Sequence, residues 1–212
     1  MKRGKFIALE GGEGTGKSTQ SRLLAAALQD RGYSAVTTRE PGGTPGAEAI
    51  RSLLLSPPGD GWGARAEALL FAAARADHVQ KLIEPALASG KWVICDRFLD
   101  SSRAYQGGAG GVGDNAIMAL HGMGSEGLLP DLTLLVQVSP EIVSTRLIAR
   151  DQGNSDAIGG RDADYHAHVA NAFAALMAAE PGRFAGIDGE GSLDDVHQRI
   201  MSAITPLFGP AA

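Results

Sequence analysis

The 212-residue sequence predicts an α/β fold, a parallel sheet covered by helices on both faces. Three observations carry that expectation. Short apolar runs alternate with helical segments along the whole chain. The apolar runs are continuous, where a half-exposed sheet would alternate polar and apolar residues. Glycine and proline mark the junctions. Continuous apolar strands suit a sheet buried on both sides, and strand–helix alternation suits parallel crossovers. The length suits one domain with a substantial core, so residues 1–212 are read as a single unit with no internal repeat and no dividing linker.

The first strand is Phe6-Ile7-Ala8-Leu9. Glycines follow at once, then a helix over 17–31 that Gly32 stops. Residues 34–38 form the second strand, and 44–55 a helix ended by Pro57-Pro58-Gly59. The Ala-rich stretch 63–88 reads as helix with an interruption at Pro85, and Trp92-Val93-Ile94-Cys95 is the third strand. Residues 106–113, rich in glycine, read as a mobile loop before a short helix around 115–123. The fourth strand, 132–138, is the most apolar run, and the helix over 140–150 opens with a proline in its first turn. Residues 151–160 are polar and glycine-rich and read as a flexible lid, placed at about 150–163. A helix then runs to Ala179, a weak strand covers 184–187, and a last helix 193–207. The sum is a three-layer α/β/α domain with a five-stranded parallel sheet.

The formal net charge is −5, which argues against a sequence-blind nucleic-acid surface but leaves room for a local basic cluster. Cys95 is the single cysteine, so no intrachain disulfide forms and a reducing, cytoplasmic setting is expected. Ending an apolar run, it reads as a small buried hydrophobe before it reads as a reactive thiol. The basic start Met1-Lys2-Arg3-Gly4-Lys5 is followed by too few apolar residues for a signal peptide. No apolar stretch approaches the roughly 18 residues of a membrane span. The five histidines show no metal-ligand spacing.

Chemistry enters with Gly11-Gly12-Glu13-Gly14-Thr15-Gly16-Lys17-Ser18, which fits G-x-x-x-x-G-K-[ST] between a predicted strand and a predicted helix. Glycines let consecutive backbone N–H groups curl around phosphate oxygens, and the helix N-terminus adds partial positive charge. Lys17 is placed to reach the β- and γ-phosphates, and the Ser18 hydroxyl to help hold Mg²⁺. A plain glycine turn is the bland alternative, and the strand–loop–helix context outweighs it. The fold is therefore of P-loop NTPase type. An N-K-x-D guanine-reading motif is absent from the sequence, which disfavours a switch GTPase. Asp96 at the end of the third strand is a candidate Mg²⁺ partner, directly or through water, and Arg97 a candidate fork for an acceptor phosphate. Taken alone, this pair reads equally well as a surface ion pair.

In order along the chain, four blocks resemble bacterial thymidylate kinase. They are Glu10 through Ser18 with Thr19, Thr38-Arg39-Glu40-Pro41-Gly42-Gly43-Thr44, Leu70-Phe71-Ala72-Ala73-Ala74-Arg75, and Asp96-Arg97-Phe98-Leu99-Asp100-Ser101-Ser102-Arg103-Ala104-Tyr105-Gln106-Gly107. Pro130-Asp131-Leu132-Thr133 is a further match. The resemblance implies transfer of the γ-phosphate of ATP to thymidine monophosphate, with Mg²⁺, by a homodimer. It implies that Phe71 stacks on thymine, a contact worth about 1–3 kcal/mol. Without it, Phe71 reads as a core residue. It further implies that Arg75 donates to the thymine O4, that Ser102 and Gln106 read the remaining base edge, and that Tyr105 packs by the deoxyribose. Arg51 and Arg97 would hold the monophosphate, and Glu13 the sugar 3′-hydroxyl. Residues 11–19, with Arg146 and Arg150, would hold ATP, and Lys17, Arg97, Arg150 and Glu13 would act in the transfer.

One departure stands out. The family's P-loop without arginine goes with a basic lid, yet the Asp-Arg-hydrophobe-Glu lid segment is here Asp156-Ala157-Ile158-Gly159. The expectation is a competent binder with reduced turnover, in which Arg161 swings in beside Arg150 to compensate. Two alternatives stay open. One is a kinase for a deoxynucleoside or a different monophosphate, the other a nucleotide-binding regulator that has lost activity. Some phosphorylation of deoxyuridine monophosphate is expected, since a buried methyl is worth only about 1–3 kcal/mol.

Overall fold

A computed structural model describes residues 3–151 and 156–208, apart from the side chains of 147–151. Five parallel strands form one sheet in the order β2-β3-β1-β4-β5. They are β1 (Phe6–Glu10), β2 (Ala35–Arg39), β3 (Trp92–Asp96), β4 (Leu132–Gln137) and β5 (Phe184–Asp188). Every residue of β1 is buried because it lies mid-sheet with both faces covered. Its pleat divides the core. Ile7 and Leu9 join Leu24, Leu28, Val196 and Ile200 from α1 (Lys17–Asp30) and α9 (Leu193–Ile204), while Phe6 and Ala8 face Ile83, Leu87 and Ile117 on the other side. Cys95 lies fully buried in that second cluster, its thiol pushed well up by burial.

Local signals set several boundaries. Gly32, at φ 81°, closes α1, with Tyr33 N donating to Leu28 O (3.0 Å) and Gly32 N to Gln29 O (2.9 Å). The Thr44 hydroxyl caps α2 (Pro45–Leu55) by accepting from Ala47 N (3.2 Å). Ser192 and Asp195 form a reciprocal capping box at the start of α9.

Two expectations need correction. The 63–88 stretch is not interrupted at Pro85. Here α3 (Ala64–His78) passes through one wide π turn, Val79–Ile83, into α4 (Glu84–Ala88), which carries Pro85 in its first turn, where a missing N–H is tolerated. Nor is the start of 106–113 a loop. From α5 (Leu99–Ser102) the chain continues as a π helix, Arg103–Ala109, with Gln106 and Gly107 buried. Its glycines serve close packing. A Cβ on Gly108 would sit 2.8 Å from the Ala172 Cβ on α8 (Ala163–Ala179), and one on Gly107 would be 3.3 Å from Ile117 on α6 (Asp114–Ser125). The helix α7 (Pro140–Asp151) precedes the lid segment, of which 152–155 lie outside the described residues.

Candidate active site

The strand order changes direction at β1 and β3, so the crevice beyond their carboxyl ends is where ligands bind in such sheets. A cavity of about 690 Å³ opens there. One wall is the loop after β1. Gly11 adopts φ 134°, and a Cβ there would lie 2.4 Å from Val136 O, so only glycine lets the loop pass β4. Gly16, at φ 93°, caps α1 and accepts from Thr19 N and Gln20 N (both 3.1 Å). Lys17 is buried, its Nζ donating to Gly12 O (2.5 Å) and Thr15 Oγ1 (3.2 Å). Burial first, then the neighbouring Arg97, lowers its ammonium to about 8. Arg146 reaches the same wall from α7, its guanidinium 3.4 Å from both Gly14 O and Thr15 O. The Arg150 side chain lies outside the described residues.

Ser18 at the start of α1 donates its hydroxyl to the Asp96 carboxylate at the end of β3, and both line the cavity. A hydroxyl and a carboxylate together are hard oxygen donors of the kind Mg²⁺ accepts alongside phosphates and water. Among the described residues no group of three or more His, Cys, Asp or Glu could cage a metal unaided.

Arg97 holds the middle of the site. Its φ is 68°, a left-handed backbone that a branchless Gly adopts freely and arginine rarely does. That turn directs the side chain back across the crevice. Nη1 donates to Gly11 O (2.9 Å) and Ser101 Oγ (3.1 Å), and Nη2 to Glu13 Oε1 (2.6 Å). The guanidinium also lies over the Tyr105 ring, 5.1 Å from its centroid. Burial alone would lower its proton affinity, but Tyr105, Glu13, Glu10 and Asp96 outweigh that and raise it.

Arg51, Phe71, Tyr105 and Gln106 line the opposite wall, with Arg51 anchored on Pro41 O (2.7 Å). Two predicted base-contacting residues do not line the cavity. Arg75 is 2% exposed and lies behind the wall, its Nε on Glu40 Oε2 (2.7 Å) and its Nη2 on Ser102 Oγ (2.7 Å). Glu40 also pairs with His78 Nδ1 (3.0 Å), and although burial raises its pKa, Arg75 and His78 bring it below the usual carboxylate value. Arg161, expected to swing toward the donor end, has its guanidinium paired with Glu67 and the Tyr165 hydroxyl, next to the Glu67–Gln106 contact.

Sequence reasoning gave no role to Glu40, Glu67 or Glu10. Glu10 is fully buried, accepts from Phe98 N (2.8 Å), Ser101 N (3.1 Å) and Ser101 Oγ (2.6 Å), and is pushed up to about 7 by burial and by Asp100. The signal for Glu40 was its place in the Thr38–Thr44 block; for Glu67, only its spacing four residues before Phe71.

A P-loop and an arginine-bearing acceptor wall sharing one crevice define a phosphotransferase that brings a nucleotide donor and a phosphorylated acceptor together. The chain belongs to the thymidylate kinase family, whose model matches residues 9–200. It is 55% identical to a thymidylate kinase from Rhizorhabdus wittichii over 97% of this chain and 99% of that protein. It is 47% identical to one from Nitrobacter winogradskyi, over 95% and 88% of the two chains. The crystal structure of thymidylate kinase from Ehrlichia chaffeensis superposes with a TM-score of 0.76 at 31% identity, covering 96% of this chain and all of that one. The protein is thus an ATP-dependent nucleoside monophosphate kinase that phosphorylates thymidine monophosphate to the diphosphate.

Proposed function

We propose that the residues of the crevice divide this reaction into a donor end and an acceptor end joined by Arg97. Residues 11–19 hold the ATP phosphates through backbone N–H groups, with Lys17 on the β- and γ-phosphates. Ser18 and Asp96 hold Mg²⁺, which neutralises phosphate charge when bound. Arg146 and Arg150 add charge from the lid side. Arg51 and Arg97 hold the monophosphate, Phe71 stacks on the base, Tyr105 packs by the sugar and Glu13 faces its 3′-hydroxyl. Gln106 reads the base edge from the wall, and Arg75, toward the thymine O4, and Ser102 complete that contact from directly behind it. No strong base is needed, because the attacking oxygen belongs to a phosphate that is already anionic; catalysis is alignment and charge neutralisation.

The observation that carries this reading is the reach of Arg97, whose guanidinium touches the P-loop at Gly11 and Glu13 while lying against Tyr105 of the acceptor wall. A cation at that junction faces both phosphates at once. The test is ADP release with ATP, Mg²⁺ and each nucleoside monophosphate, for the native chain and for Arg97→Ala. Release dependent on thymidine monophosphate, and a loss of about 10³-fold or more in the variant, is expected. An unchanged turnover in the variant would remove Arg97 from the mechanism.

One domain over 1–212, a lid near 150–163, a cytoplasmic setting and a homodimer belong to the same proposal. No helix among the described residues is long and apolar enough to cross a membrane. Leu69 and Met123 are large exposed apolar side chains on α3 and α6, which make contact with each other, and they suit a protein partner better than water.

A further inference from the structure

Gln106 lines the crevice yet is 2% exposed, and its amide has a fixed neighbour. Nε2 donates to Glu67 Oε1 at 2.8 Å. A carboxylate only accepts, so the amide nitrogen must face Glu67 and the amide oxygen must face away. That oxygen is buried with no hydrogen-bond partner among the described residues. A buried acceptor without a partner costs free energy, so it is an acceptor in wait of a donor.

Glu67 is itself held. Its second oxygen takes the Arg161 guanidinium, Arg161 also reaches the Tyr165 hydroxyl, and Tyr165 donates on to Tyr105 O (3.0 Å), the residue before Gln106. The chain of contacts therefore closes on the backbone that carries the amide. Glu67 also lies one helical turn before Phe71 on α3, which places the pair next to the proposed stacking wall.

We infer that Glu67, braced by Arg161, is a specificity-determining positioning residue. It fixes the Gln106 amide so that the base meets an acceptor, which selects pyrimidines carrying an N3–H over those with a bare N3. Thymine and uracil offer that hydrogen; cytosine presents a lone pair there and would face oxygen with nitrogen. Arg161 thus acts at the base end of the site, through Glu67, and leaves transition-state charge at the donor end to other groups. The inference rests on the proposed place of the base beside Gln106.

The experiment compares the full chain with Glu67→Gln and Gln106→Ala. It measures kcat and KM for thymidine monophosphate, KM for ATP, and the inhibition constant of deoxycytidine monophosphate. A glutamine at position 67 can pair with Gln106 either way round, so both amide orientations become populated. The expected result for Glu67→Gln is a preference for thymidine over deoxycytidine monophosphate narrowed about tenfold or more, with kcat and the ATP KM unchanged. A folded Glu67→Gln with the native preference, or with both ligands weakened equally, overturns the inference. The Gln106→Ala variant tests the underlying reading separately. If it alters the preference while Glu67→Gln does not, only the positioning role fails; if it moves neither ligand, the base does not meet Gln106 at all. The exchanged pair Glu67→Gln with Gln106→Glu again turns an acceptor to the base and is expected to restore discrimination. Should Glu67→Gln not fold, Glu67→Ala removes the acceptor that fixes the amide, and an unchanged preference there overturns the inference, while an unchanged preference in Arg161→Met removes Arg161 from it.

Discussion

The two ends of the crevice are built in opposite ways. The donor end is one contiguous segment, residues 11–19, whose backbone carries most of the function. The acceptor end gathers single side chains from α2, α3 and the helix after β3, and each is held by partners distant in sequence. Arg51 rests on Pro41, Arg75 on Glu40 and Ser102, Gln106 on Glu67. Phosphates are alike in all nucleotides, so a backbone nest with one lysine suffices for them. A base has to be told from other bases, which takes directional groups locked by a supporting shell of hydrogen bonds.

If the two ends are separable, their variants must fail differently. Lys17→Ala is expected to lower kcat about 10²- to 10³-fold with little change in KM for thymidine monophosphate. A matching rise in that KM would show that the ends are coupled. Phe71→Ala is expected to raise that KM by about 1–3 kcal/mol, up to roughly a hundredfold, and to leave the ATP KM alone. Equal losses for both substrates would move Phe71 out of the acceptor pocket and into the core.

Titration sharpens the contrast with smaller effects. The Lys17 ammonium is lowered to about 8 in the free protein, and bound phosphates favour its charged form. ATP affinity is therefore expected to fall by about fivefold between pH 8 and 9. Proton uptake on ATP binding in that range, seen by calorimetry in buffers of different ionisation enthalpy, checks it. Thymidine monophosphate binding measured the same way, without ATP, gives the reference for the acceptor end.

The smallest effect concerns Glu10, which links the back of both ends. Its pKa is raised from 4.5 to about 7, so the folded state holds the proton more tightly than the unfolded chain does. The resulting stabilisation is complete below pH 4.5 and is lost as pH rises through 7. In Glu10→Gln the side chain stays neutral and the Ser101 hydroxyl can turn to accept from its amide. Thermal melts from pH 4.5 to 8 are expected to show the native melting temperature declining relative to the variant. A constant difference would mean that Glu10 is ionised throughout.

Much of this protein could be read from residues 1–212 without coordinates. The five strands were legible because a sheet buried on both faces demands continuous apolar runs, and the P-loop because its glycines and Lys17 are adjacent in the chain. The misread segments share one cause. Gly107 and Gly108 look like loop residues until α6 and α8 are seen packed against them, since a small residue signals either freedom or close approach. Pro85 looks like a break until the wide turn before it is seen.

The sequence by itself determined the sheet, the phosphate-binding loop and, through its resemblance, the class of acceptor. Only the tertiary structure decided which carboxylate each arginine pairs with, Arg97 with Glu13 included. Arg75 is expected from the sequence at the base and Arg161 in the lid, and the fold pairs them with Glu40 and Glu67. Ion pairs form across distance in space, and spacing along one chain carries no record of them.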